Sequence, residues 1–131
     1  MRRIALVGAG YISHIHAEAL RGLPGVAIAA VVDPNADAAR RLADAFGAAR
    51  THATAAEALA AGGIDAAHIL TPPDTHRDTA LPFLVAGIPA LVEKPLAVTG
   101  AECAELMRAA EASGAALGVN QNFVFHPAFT R

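Results

Sequence analysis

The sequence holds one cysteine, no tryptophan, one tyrosine and a single lysine, Lys94. One thiol, Cys103, excludes an internal disulfide, and no Cys/His spacing fits a zinc site. That composition fits a reducing compartment, and the reading here is cytoplasmic. Charge is scarce, at 17% of residues, and nearly balanced, with 10 basic and 12 acidic side chains. The absence of a basic run argues against a nucleic-acid partner held by phosphate contacts. No stretch reaches the roughly 18 apolar residues of a membrane span, so no membrane partner is expected. Low charge and a mean hydropathy of +0.40 exclude a disordered tail protein. What is present is a chain of 131 residues, 54% hydrophobic and rich in Ala, enough for one domain with its own core.

The N-terminus, Met1-Arg2-Arg3 followed by Ile4–Val7, looks at first like the start of a secretion signal. Gly8 and Gly10 break the apolar run and no small-residue cleavage site follows, so Ile4–Val7 is read as a buried strand. Helix and strand signals then alternate. Helices are predicted over Tyr11–Leu20 and Ala36–Phe46, the second stopped by Gly47. Strands are predicted over Val26–Val32, near Ala49–Thr51, and over Ala66–Leu70, Ala90–Val92 and Ala115–Val119. Thr54 and Thr99, each with Glu three residues on, read as capping boxes. Asp74 or Thr75 is expected to cap a helix towards Ala86, which Pro82 should kink or split. Short buried strands joined by helical crossovers predict an α/β fold of Rossmann type. Its doubly wound parallel sheet has about six strands with helices on both faces.

Four segments carry candidate chemistry. Gly8-Ala9-Gly10-Tyr11-Ile12-Ser13 sits between a strand and a helix, where backbone N–H groups and the positive helix end would face a pyrophosphate. Ser13 replaces the third glycine of the dinucleotide pattern, and the loop also fits an ordinary glycine turn. Asp33 ends the second strand, where a carboxylate accepts hydrogen bonds from ribose hydroxyls and repels a 2′-phosphate. No arginine follows it directly, and Arg40 and Arg41 read as solvated, so NAD is preferred to NADP. The Asp33-Pro34-Asn35 turn also fits capping of the next helix. Thr71-Pro72-Pro73-Asp74-Thr75-His76 falls at the switch point of strand order, with His76 either reaching a ligand or bracing the backbone. Glu93-Lys94-Pro95 ends the fifth strand. A compact amine there suits proton transfer, and Glu93 and Lys94 are expected on opposite sides. A surface Glu–Lys pair is the plainer reading of the same residues. His14 and His16 do not share a helical face, His68 reads as a satisfied core residue, and Cys103 as packing.

Together these segments resemble the N-terminal domain of the Gfo/Idh/MocA oxidoreductases, the glucose–fructose oxidoreductase and inositol dehydrogenase family. The resemblance extends to Asn120-Gln121-Asn122-Phe123 and Phe125-His126-Pro127, although Val124 stands where members often carry Arg. It implies NAD(P)-dependent hydride transfer on a secondary alcohol or carbonyl of a sugar or cyclitol. Lys94 matches the family's active-site lysine, and Glu93 and His76 match positions near the cofactor. The expected cofactor contacts are Gly8, Gly10, Tyr11, Ile12, Asp33, Thr71, Pro72, His76, Glu93 and Lys94. The resemblance also implies a C-terminal α/β substrate domain, absent here, that completes the catalytic set and drives homo-oligomer formation. Residues 1–120 are accordingly expected to form the NAD(P) domain, and 121–131 the start of a connection. On this reading the chain alone lacks turnover. Other readings stay open: a non-catalytic NAD-binding module or truncated remnant, an S-adenosylmethionine-dependent methyltransferase, and an NAD-dependent glycosidase of the same family.

Overall fold

The computed structural model describes residues 1–125 and Ala128; His126, Pro127 and Phe129, part of the expected connecting tail, lie outside the described residues. The strands are β1 (Arg2–Val7), β2 (Val26–Val32), β3 (Arg50–His52), β4 (Ala66–Ile69), β5 (Ala90–Glu93) and β6 (Leu117–Asn120). The helices are α1 (Tyr11–Arg21), α2 (Ala36–Phe46), α3 (Ala55–Ala61), α4 (His76–Val85) and α5 (Gly100–Ser113). The strands form one parallel sheet in the order β3-β2-β1-β4-β5-β6. The order reverses between β1 and β4, where crossovers leave the sheet in opposite directions and a crevice opens at the carboxyl edge.

Register aligns that edge. Val7 pairs with Val32 on one side and Ile69 on the other, Ile69 with Val92, and Glu93 with Asn120. The segments that follow these strands therefore emerge side by side. Apolar side chains on both sheet faces make two cores. Leu6, Leu20, Val31 and Leu42 pack beneath α1 and α2. Phe83, Leu84, Ile69 and Leu106 form the other core, and Phe83 and Leu84 are fully buried. Each such side chain contributes roughly 1.5–3 kcal/mol of burial. The abundant alanines act as close-packing spacers: Ala5, Ala30, Ala67 and Ala80 have no exposed surface.

Local signals mostly hold, with instructive exceptions. At α5 the capping box is complete: Thr99 accepts from the Glu102 amide and Glu102 reaches back to the Thr99 amide. At α3 only half of it forms, because Glu57 bonds the Ala53 amide instead. Thr75 takes the N-cap position of α4 as expected, but its side chain does not bond the helix amides. A 3-10 turn over Pro73–Thr75 precedes the helix, and the Thr75 hydroxyl donates to the Pro72 carbonyl. Pro82 does not split α4, which runs through it. The ring removes a hydrogen bond to the carbonyl of Asp78, an exposed residue of the first helical turn that water can serve. β3 and β6 each start later than predicted, at Arg50 and Leu117, because pairing with β2 and β5 sets their length.

Candidate functional site

Two adjoining hollows occupy the carboxyl edge. One, of about 560 Å³, is lined by the Gly8–Ile12 loop, Asp33, Pro34 and the Leu70–Pro72 segment. The other, of about 610 Å³, is lined by Ile12, His16, Thr71, His76, Glu93, Lys94 and Asn120. Ile12 and Thr71 line both, so the hollows form one elongated cleft.

The first end is made of backbone. Gly8 has φ +103°, and a side chain there would place Cβ 2.8 Å from the Leu70 carbonyl oxygen. Only glycine fits where β1 leaves the sheet against the end of β4. Gly10 differs: nothing lies within 4 Å of where its Cβ would be, and it heads α1 with no side-chain cap. No side chain caps the first amides of this 11-residue helix, and only the Ser13 amide turns back, to the Gly10 carbonyl at 3.1 Å; an uncapped helix start beside open space is the arrangement that receives an anion. Ser13, in place of the third glycine, is fully buried, and its hydroxyl donates to the Gly8 carbonyl at 2.7 Å. The departure from the glycine pattern thus ties helix to loop. Asp33 spans the same end. One carboxylate oxygen accepts the Ala9 amide and the other the Asn35 amide, both at 2.8 Å. The helix-capping task falls to Asn35, which accepts from the Ala38 amide. Arg40 and Arg41 are exposed on α2. Tyr11 is 83% exposed beside the loop.

The second end is made of side chains. Of the two roles read for His76, the structure gives the brace. The ring is fully buried, and its nitrogens lie 2.8 Å from the carbonyl oxygens of Thr71 and Pro95, joining the β4 and β5 exits. The Thr71 hydroxyl is shared with Thr79. Glu93 and Lys94 line the same hollow rather than opposite sides. β5 ends at Glu93, so strand alternation stops there, and the Glu93 carboxylate turns back to accept the Lys94 amide. The Lys94–Pro95 peptide is cis. The Lys94 ammonium is exposed and has no ion-pair partner among the described residues.

Beneath Lys94 lies a cluster that sequence reading missed. His16 Nε2 is 3.0 Å from Glu93 Oε1, and His16 Nδ1 is 3.0 Å from His68 Nδ1. Asn120 donates its amide to the same Glu93 oxygen. Burial pushes the Glu93 carboxyl up, but hydrogen bonds from Asn120, His16 and the Lys94 amide outweigh it and hold it below its ordinary value. His68 is pushed down to about 4, first by burial and then by neighbouring His16. It is a half-buried neighbour of the site rather than a plain core residue. One signal was available: Ser13, His16, Ala17 and Leu20 recur at helical spacing and form the buried stripe of α1. Cys103 is half-buried against the core, as expected.

Comparison with known proteins follows the same outline. Residues 2–121 match Gfo/Idh/MocA, described as an oxidoreductase family with an NAD-binding Rossmann fold. The chain belongs to this family. D-apiose dehydrogenase of Paraburkholderia graminis is 35% identical over 124 residues, covering 95% of this chain and 33% of the relative. Inositol 2-dehydrogenase of Rhizobium meliloti is 35% identical over 127 residues, covering 97% of this chain and 38% of the relative. The crystal structure of GenD2 from gentamicin A biosynthesis in complex with NAD superposes with a TM-score of 0.92 at 37% identity, covering 99% of this chain and 37% of that one. This Gfo/Idh/MocA chain thus spans about a third of the length of the curated relatives it matches. Membership of an oxidoreductase family leaves the methyltransferase reading without support.

Proposed function

We propose that this Gfo/Idh/MocA chain holds NAD along the cleft and presents Lys94 to an alcohol or carbonyl carbon of a sugar or cyclitol. The observation that carries it is the pairing of ends. Uncapped α1 amides and open space at Gly10 suit a pyrophosphate, and a lone amine stands at the other end. Asp33 keeps unused lone pairs for the ribose hydroxyls, and its charge disfavours a 2′-phosphate, which supports NAD over NADP. NAD, when bound, supplies the hydride acceptor or donor. Lys94 takes the proton from the alcohol oxygen in one direction and returns it to the carbonyl oxygen in the other. Glu93 fixes the backbone from which that amine extends, and His76 keeps the two flanking exits together. In this reading residues 1–120 are the coenzyme domain, and the groups that read the substrate belong to the part of the relatives this chain does not span.

Calorimetric titration of the chain with NAD+, NADH, NADP+ and S-adenosylmethionine tests the proposal. Saturable heat with NAD+ or NADH, weaker heat with NADP+ and none with S-adenosylmethionine is expected. No heat with either form of NAD overturns it.

A further inference from the structure

We propose that His68 and His16 are positioning residues: a directed chain, from His68 Nδ1–H to His16 Nδ1 and from His16 Nε2–H to Glu93 Oε1, holds Glu93 as an oriented carboxylate beneath Lys94. The inference rests on the reading of this cleft as an NAD site with Lys94 at its reacting end. Its direction follows from what each atom can do. The Glu93 oxygen 3.0 Å from His16 Nε2 belongs to a carboxylate, which only accepts, so Nε2 carries the proton and donates it there; the Asn120 amide nitrogen, 3.4 Å from Nε2, gives its own proton to that same oxygen. A neutral His16 then has a bare lone pair on Nδ1. Its partner at 3.0 Å is another ring nitrogen, His68 Nδ1, which must donate. His68 thereby selects the tautomer of His16, and His16 delivers its proton to Glu93.

The chain joins four elements. His16 lies on α1, His68 on β4, Glu93 on β5 and Asn120 on β6. Among the described residues the charged group bonded to His16 is Glu93, His68 is faced by His16, and Lys94 lines the same hollow as His16. Glu93 collects three donors: Asn120, His16 and the Lys94 amide. A carboxylate bound on three sides has little freedom to rotate, so the point where β5 hands over to Lys94 is fixed. Removing His68 would leave His16 Nδ1 buried beside an apolar wall, and the ring could then exchange tautomers and release Glu93. This explains why a half-buried strand carries a histidine where β4 is otherwise Ala and Ile.

Nuclear magnetic resonance of the 13C,15N-labelled chain reads the histidine tautomers directly at pH 8 and follows the Glu93 carboxyl carbon in a pH titration. The expected spectrum has His16 protonated on Nε2 only and His68 protonated on Nδ1. His68→Leu is expected to move His16 towards a tautomer mixture and to raise the titration midpoint of the Glu93 carboxyl carbon. His68→Asn, whose amide nitrogen takes the place of Nδ1, is expected to restore both. A wild-type His16 protonated on Nδ1, or on both nitrogens, overturns the proposal. So does a folded His68→Leu variant with an unchanged His16 tautomer and Glu93 midpoint. Should His68→Leu not fold, the wild-type spectrum and the His68→Asn variant decide. None of these readouts uses coenzyme or turnover. Absence of NAD binding would overturn the cofactor reading while leaving the histidine chain standing, and a wrong tautomer would do the reverse.

Discussion

The two ends of the cleft are built from different materials. At the glycine-loop end the working groups are mostly main-chain amides, held in place by the Asp33 carboxylate and the Ser13 hydroxyl, and room is made by side chains that are missing. At the β5 end the working groups are side chains drawn from four elements, and the main chain supports them through the Lys94 amide and the Thr71 and Pro95 carbonyls. Backbone amides are set by local conformation, so the first end depends on a few φ angles and on how closely β1 approaches β4. The second depends on sheet order, because β1, β4, β5 and β6 must stand in sequence before His16, His68, Glu93 and Asn120 can meet. Damage to the first end should therefore act through conformation and damage to the second through protonation and pairing.

The sharpest way to break this contrast is Gly8→Ala. Its φ of +103° and the 2.8 Å approach to the Leu70 carbonyl predict a loss of at least about 3 kcal/mol, measured by urea unfolding. At the other end the largest effect is a pH dependence. The folded pKa of His68, about 4, lies below the ordinary 6.5, so the unfolded chain binds the proton first. The stability is complete above pH 6.5 and is lost as pH falls from there to about 4, by up to roughly 3 kcal/mol; unfolding midpoints against pH will show it. Glu93, also held low, adds a loss of the same sign on further acidification. Asp33→Ala removes the acceptor of two amides and should cost roughly 1–2 kcal/mol, with NAD affinity falling alongside in calorimetry. Gly10→Ala separates fold from binding. With no atom within 4 Å, stability should stay within about 0.5 kcal/mol, while NAD affinity drops about tenfold or more because a methyl enters the anion space. The smallest effect is expected from Lys94→Met. An exposed amine without an ion-pair partner among the described residues should leave stability within about 0.5 kcal/mol.

The same division decides how much could be read from the sequence. Val26–Val32 and Ala36–Phe46 were predicted to the residue, because β-branched runs and glycine stops are local signals. Gly8, Gly10 and Asp33 were legible for the same reason: their spacing along one βαβ unit is their spacing in space. His16 and Glu93 are 77 residues apart and His16 and His68 are 52 apart, so only the assembled sheet brings them together. His76 carried two roles in the sequence. The choice between them depended on Pro95, 19 residues away, offering its carbonyl across the neighbouring exit. Thr75 is legible in the sequence as a candidate N-cap of α4, but its hydroxyl closes the 3-10 turn ahead of the helix by bonding the Pro72 carbonyl instead of a helix amide. For the histidines the failure lies where a partner distant along the chain takes the place of a near one, and for Thr75 it lies in a competing turn three residues long.

These 131 residues, with one lysine, offer few places for an amine-reactive reagent to land. Lys94 is exposed at the mouth of the cleft, so the usual coupling of proteins to sensor chips or dyes through primary amines would attach either at Met1 or across the opening itself. Half-silenced surfaces would follow, and an affinity tag avoids them.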